Sequence, residues 1–134
     1  MSPEAGQAES YRPRVLVVED DPPIRQFLRD CLEIVMDCRV TTATDGSEAL
    51  ACLHASAFDL VLSDLHMPGI TGLELIARLR ILNPNVPAVL ITGSLDQPAR
   101  TPGALLLVKP VTVDTLCATV RTALAQPAAH AAGR

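Results

Sequence analysis

Residues 63–69 read SDLHMPG. They close an apolar run, Phe58 to Ser63 (FDLVLS), with the length and composition of a strand buried in a core. Asp64 follows at its end, and Pro68-Gly69 signals a turn four residues later. A lone carboxylate at the mouth of an apolar core is costly unless it has a partner or a chemical task.

Outward from this point the chain alternates. Arg14 to Glu19 (RVLVVE) is a branched apolar run, a strand buried on both faces. Ile24, Phe27, Leu28, Cys31, Leu32 and Val35 then recur at helical spacing. Arg39 to Ala43 is a short second strand, and Asp45 caps a helix carrying Ala49, Leu50 and Leu53. After the Asp64 strand, Leu73, Ile76, Leu79 and Leu82 mark another helix, ended by Asn83-Pro84. Pro87 to Thr92 and Ala104 to Val108 are strands four and five. Val113, Leu116, Val120 and Leu124 form the last helix. Strands and helices in strict alternation predict an α/β fold with a doubly wound parallel sheet. Gly93 to Gly103 breaks the rhythm with Pro98 and Pro102, so the helix expected there is short or absent.

The 134 residues fit one domain, 13–125, between a tail over 1–12 and a second over 126–134. With 49% hydrophobic and 19% charged residues the chain is globular rather than disordered. A net charge of −4 and 2% aromatics argue against direct nucleic-acid binding. Cys31, Cys38, Cys52 and Cys117 lack metal-ligand spacing and read as small buried hydrophobes. The start shows no signal peptide, and no apolar run is long enough for a membrane helix, so a cytoplasmic location is expected.

In an open parallel sheet ligands bind beyond the carboxyl ends of the strands. Those ends carry Glu19-Asp20-Asp21, Ser63-Asp64, Thr92-Gly93 and Lys109-Pro110. Glu19, Asp20 and Asp64 would converge, and two like charges 4 Å apart repel by roughly 4 kcal/mol at an effective dielectric of 20. Lys109 offsets one charge. A hard oxygen-binding cation, Mg2+, fits the remainder. Asp64 is then suited to attack phosphorus, with cation and lysine neutralising the transferring group and Thr92 donating a hydrogen bond to it. Taken singly, Glu19, Asp20 and Asp21 read as helix-capping acids and Asp64 as a turn residue. The His66 imidazole reads as solvent-facing, although its backbone carbonyl lies within reach of a metal.

Together these residues carry a family resemblance. VLVVEDDPPIR, DLVLSDLHMPGITGLEL, VLITGS and LVKP resemble the four motif segments of the receiver domain of bacterial two-component response regulators. The resemblance spans about residues 13–125. It implies a flavodoxin-like sheet of order 2-1-3-4-5 with five helices. It also implies phosphorylation of Asp64 by a histidine kinase or phosphotransfer protein, and Mg2+ held by Asp20 and Asp64 directly, with Glu19 and the His66 main-chain carbonyl. Thr92 would be the switch hydroxyl and Lys109 the phosphate-contacting lysine. The domain would assist only its own phosphorylation and dephosphorylation and signal to a downstream protein. Leu106 stands where the family usually has Tyr or Phe, so it is expected to stay packed in the sheet face rather than act as a rotating ring. No effector segment follows Leu124, which reads as a stand-alone receiver, a monomer or weak dimer.

Three other classes compete. A metal-dependent phosphatase with an aspartyl intermediate would want an acid two residues after the nucleophile, where His66 stands. A non-phosphorylated interaction module would not require the complete acidic, threonine and lysine set. A flavin carrier on the same fold lacks its phosphate loop after strand one.

Overall fold

Arg14–Val18 forms β1, and all its residues after Arg14 are buried, as a branched apolar strand covered on both faces requires. The structure, a computed structural model, describes residues 11–93 and 103–125. After β1 come α1 (Pro22–Asp30), which runs on into a π-helical turn at Cys31–Val35, β2 (Arg39–Ala43) and α2 (Gly46–Ala55). They are followed by β3 (Leu60–Asp64), α3 (Gly72–Leu82), β4 (Ala88–Thr92), β5 (Ala104–Val108) and α4 (Val113–Leu124). The strands pair in parallel in the order β2-β1-β3-β4-β5, as expected.

Alternate side chains of the central strands feed two cores. Val15, Val17, Leu60, Leu62, Val89 and Ile91 face α1 and α4, which contribute Leu28, Leu116 and Val120. Leu16, Val18, Val61, Ala88 and Leu90 face α2 and α3, which contribute Ala49, Leu75, Ile76 and Leu79. Burial on both faces leaves the strand ends as the place where polar groups can gather.

Local signals act as the residue types dictate. The Asp45 side chain accepts from Glu48 N at the start of α2, and Thr71 and Glu74 form a reciprocal capping box on α3. Asp21 occupies the N-cap position of α1 but makes no side-chain cap bond there. Arg80 of α3 donates to the carbonyls of Val86 and Gly103, 2.6 Å each, tying the helix to the starts of β4 and β5.

Several boundaries differ from the sequence expectation. β1 stops at Val18, which leaves Glu19 beyond the strand, whereas β3 starts at Leu60 and takes in Asp64. Pro87 lies just before β4; its carbonyl still accepts from Val61 N. The first helix ends in a π turn, which leaves Ile34 exposed at 79%. Leu106 is not fully packed: it is 36% exposed on β5, a sheet-edge strand. Tyr11 and Arg12, expected in the N-terminal tail, contact the fold: Tyr11 donates to Asp59 and Arg12 pairs with Asp37. The rest of that tail, residues 126–134 and the segment 94–102 with its expected short or absent helix all lie outside the described residues. The four cysteines are free thiols. Three are buried, and burial pushes Cys31 and Cys38 up, in keeping with a packing role.

Candidate functional site

Sheet register builds the site. Val18 of β1 pairs with Ser63 of β3, so the next residues, Glu19 just past β1 and Asp64 at the last position of β3, lie side by side. Asp64 pairs with Ile91, one residue before Thr92. Thr92 pairs with Val108, and Lys109 N donates to the Thr92 carbonyl at 2.8 Å. Four neighbouring strands thus deliver Glu19, Asp64, Thr92 and Lys109 to one edge.

Carboxylate oxygens of Glu19, Asp20 and Asp64 all lie within 4.8 Å of one another. Glu19 and Asp64 are buried, while Asp20 is exposed. Lys109 Nζ is 3.6 Å from Asp64 Oδ2. Burial, and then the nearby charge of Asp64, push the Glu19 carboxyl up to about 7; the Asp21 amide and Lys109 act in the opposite direction. Glu19 Oε2 accepts from Asp21 N at 3.2 Å, but Glu19 Oε1 is buried with no hydrogen-bond partner. A buried carboxylate oxygen without a partner, among two more acids, is a ready ligand for a cation. The donor set is all oxygen and partly open to solvent, so it fits Mg2+ better than a softer metal.

The turn after β3 is shaped around Asp64. His66 N donates to Asp64 Oδ1 at 3.3 Å while its imidazole faces solvent, as expected. Gly69 adopts φ +76°, a conformation that favours glycine, and so completes the Met-Pro-Gly turn. Thr92 is buried at the end of β4.

Two positions carry roles the sequence did not assign, Gly72, which went unnoticed, and Ser63, noted only as a strand-end residue. Gly72 begins α3 directly against the end of β3, and its N–H donates to the Leu65 carbonyl at 2.9 Å. A Cβ there would collide with the Asp64 carbonyl and lie 2.9 Å from Leu65 Cα. The helix can approach Asp64 this closely only with glycine. The signal available was a glycine just after a capping threonine. Ser63 is the second: its buried hydroxyl donates to the Asp64 carbonyl at 2.9 Å.

Beside Lys109 a groove of about 550 Å3 runs between α1 and the segment after β5, lined by Pro23, Ile24, Phe27, Ile91, Pro110 and Val111. Its walls are almost wholly apolar, in contrast to the acidic cluster next to it.

Fold and site together define an α/β domain whose strand ends gather three carboxylates with a lysine beside them. The chain belongs to the response regulator receiver domain family, whose profile matches residues 15–121. It is 34% identical over 119 residues to the C4-dicarboxylate transport transcriptional regulatory protein DctD of Rhizobium meliloti, covering 85% of this chain and 26% of that protein. The chain spans between 10% and 26% of the length of the first curated relatives it matches. Among solved structures it resembles the chemotaxis protein CheY4 of Vibrio cholerae. That match has a TM-score of 0.79 and 30% identity, and it covers 84% of this chain and 99% of that one. It also resembles the response regulator TrrA of Thermotoga maritima, solved in complex with Mg2+-BeF. There the TM-score is 0.74 with 32% identity, covering 82% of this chain and 97% of that one. Among the described residues no helix is long and apolar enough to cross a membrane.

Proposed function

We propose that this receiver domain takes a phosphoryl group onto Asp64 from a histidine kinase or phosphotransfer protein and thereby switches a surface read by a downstream protein. The observation that carries the reading is the convergence of the Glu19, Asp20 and Asp64 carboxylates within 4.8 Å, with Lys109 Nζ 3.6 Å from Asp64. Residues 13–125 act as the unit.

Asp20 and Asp64 would hold Mg2+ directly, with Glu19 and the His66 main-chain carbonyl completing the protein's share. The ion they hold would supply positive charge against the phosphoryl oxygens. The Mg2+-BeF complex of TrrA, a structural neighbour, supports this choice of ion. An Asp64 carboxylate oxygen forms the new bond to phosphorus as the P–N bond of a donor phosphohistidine breaks. The imidazole leaves with the electron pair and takes up a proton from solvent. Lys109 leaves its ion pair with Asp64 to meet the incoming phosphoryl oxygens, and the Thr92 hydroxyl donates to one of them afterwards. The apolar groove beside Lys109 supports a protein donor, since Ile24, Phe27 and Val111 offer burial to a packed side chain and nothing polar to a sugar or base.

Incubation with a small phosphodonor and Mg2+ followed by intact-mass measurement is the test. One added phosphoryl group per chain, located on Asp64, is the expected result. Catalytic turnover of phosphate esters would instead mark a phosphatase, and no reaction with any donor would mark a non-phosphorylated interaction module.

A further inference from the structure

Arg25 lies on α1 five residues beyond Asp20, half-buried, and its Nη1 donates to the main-chain carbonyl of Glu19 at 2.8 Å. No carboxylate pairs with it among the described residues, although three stand nearby at the strand ends. A guanidinium committed to one backbone oxygen has a geometric task.

The surroundings show which one. Glu19 N donates to Ala43 O at 3.0 Å, so β2 holds one side of the Glu19 backbone. Its carbonyl must find a donor beyond the end of β1. The first helical positions that follow are Pro22 and Pro23, which have no N–H to offer. Arg25 supplies the missing donor from the next turn of α1. The peptide plane between Glu19 and Asp20 is thereby pinned, and both carboxylates of the acidic pair project from it. Asp20 is exposed and follows Glu19 directly on this peptide.

We infer that Arg25 is a positioning residue for the cation site: it fixes the Glu19–Asp20 peptide so that both carboxylates face Asp64. The inference rests on the reading of that cluster as a Mg2+ site. Positioning and charge predict opposite outcomes. A nearby cation repels Mg2+, so if Arg25 acted through charge alone, its removal would tighten Mg2+ binding. If it acts by holding the peptide, removal weakens binding, on the scale of roughly tenfold seen for outer-shell partners of metal ligands.

The experiment is calorimetric Mg2+ titration of the phosphate-free protein as wild type, Arg25→Met, Arg25→Lys and Asp20→Ala, with urea unfolding of each. The expected result is Mg2+ affinity reduced roughly tenfold in Arg25→Met and partly restored in Arg25→Lys, which keeps a donor. Backbone amide shifts of Glu19, Asp20 and Ala43 in metal-free Arg25→Met should also move, independently of any activity. Unchanged or tighter Mg2+ binding in Arg25→Met, with wild-type binding lost in Asp20→Ala, overturns the role of Arg25 alone. Should Arg25→Met fail to fold, Arg25→Lys decides: full wild-type amide shifts and affinity would support a donor role, and Mg2+ binding tighter than wild type would overturn it. Wild-type protein that takes up no Mg2+, or takes it up equally after Asp20→Ala, overturns the functional reading and this inference with it.

Discussion

Val18 of β1 pairs with Ser63 of β3, and that register sets Glu19 beside Asp64 at the mouth of the sheet. The two carboxylates are buried by the apolar strands that carry them, and the charge of Asp64 adds to burial in disfavouring ionisation of Glu19. Lys109 relieves part of this strain through Asp64, and Glu19 Oε1 remains without a partner. The fold therefore gives up stability at this end of the sheet by bringing the two buried acids together.

Asp64→Asn should lose the phosphodonor-dependent mass gain and leave the fold intact, since the side chains are nearly the same size. Removing the charge also lets Glu19 ionise more easily. A gain in stability on the order of 1–2 kcal/mol is expected near neutral pH in the absence of metal. Intact mass and urea unfolding of the same preparation check both halves. Undiminished labelling at the same site would sink the assignment.

The Glu19 carboxyl gives a pH dependence with a definite sign. Its value is raised from 4.5 to about 7 in the folded protein, so the folded state holds a proton that the unfolded chain releases. Stability contributed by this group is present below about 4.5 and is lost as pH rises through about 7. Urea midpoints in a chelator should fall across that window, and Mg2+ should reduce the fall by favouring the ionised acid. Lys109→Gln removes a charge that pulls Glu19 down, so the same fall should move to higher pH. A flat profile in wild type and variant alike would show that Glu19 ionises normally.

Much of this was legible in the sequence, for physical reasons. Strands covered on both faces must be short apolar runs, so β1, β3 and β4 stand out, and polar residues at their ends stand out against them. Glu19 meets Asp64 because β1 and β3 are neighbours whose apolar runs end at the same level. Arg25 left no such trace, because a guanidinium bound to a backbone carbonyl looks like any surface arginine on a helix. Gly72 was hidden for a related reason: its role lies in how closely α3 approaches β3. The π turn at Cys31–Val35 keeps the apolar spacing of an ordinary helix, and Leu106 is exposed because β5 is an edge, which its apolar neighbours do not reveal.

Asp20→Ala separates metal binding from folding. Asp20 is exposed, so its loss should change stability by no more than about 0.5 kcal/mol, towards greater stability as one like charge leaves the cluster. Mg2+-dependent phosphorylation should be abolished. Comparing calorimetric Mg2+ titrations of variant and wild type tests this, and equal affinities would move the metal site elsewhere.

Gly72→Ala tests whether packing behind the site is as tight as the distances imply. The added methyl would meet the Asp64 carbonyl and Leu65 Cα, with Leu90 Cδ2 at 2.9 Å. Two of these three are backbone atoms, which cannot swing aside as a side-chain tip can. The helix start must shift away from β3, straining the Gly72–Leu65 hydrogen bond that anchors it. A loss of about 1–3 kcal/mol is expected, the range for overpacking a filled core. Ala is the better helix former, so a position governed by propensity alone would gain stability instead. The displacement would also move the Asp64 backbone, so Mg2+ affinity should fall in the fraction that remains folded. Urea unfolding and Mg2+ titration of Gly72→Ala, measured beside wild type, distinguish the two signs; a variant more stable than wild type with unchanged Mg2+ affinity would show that α3 has room to spare.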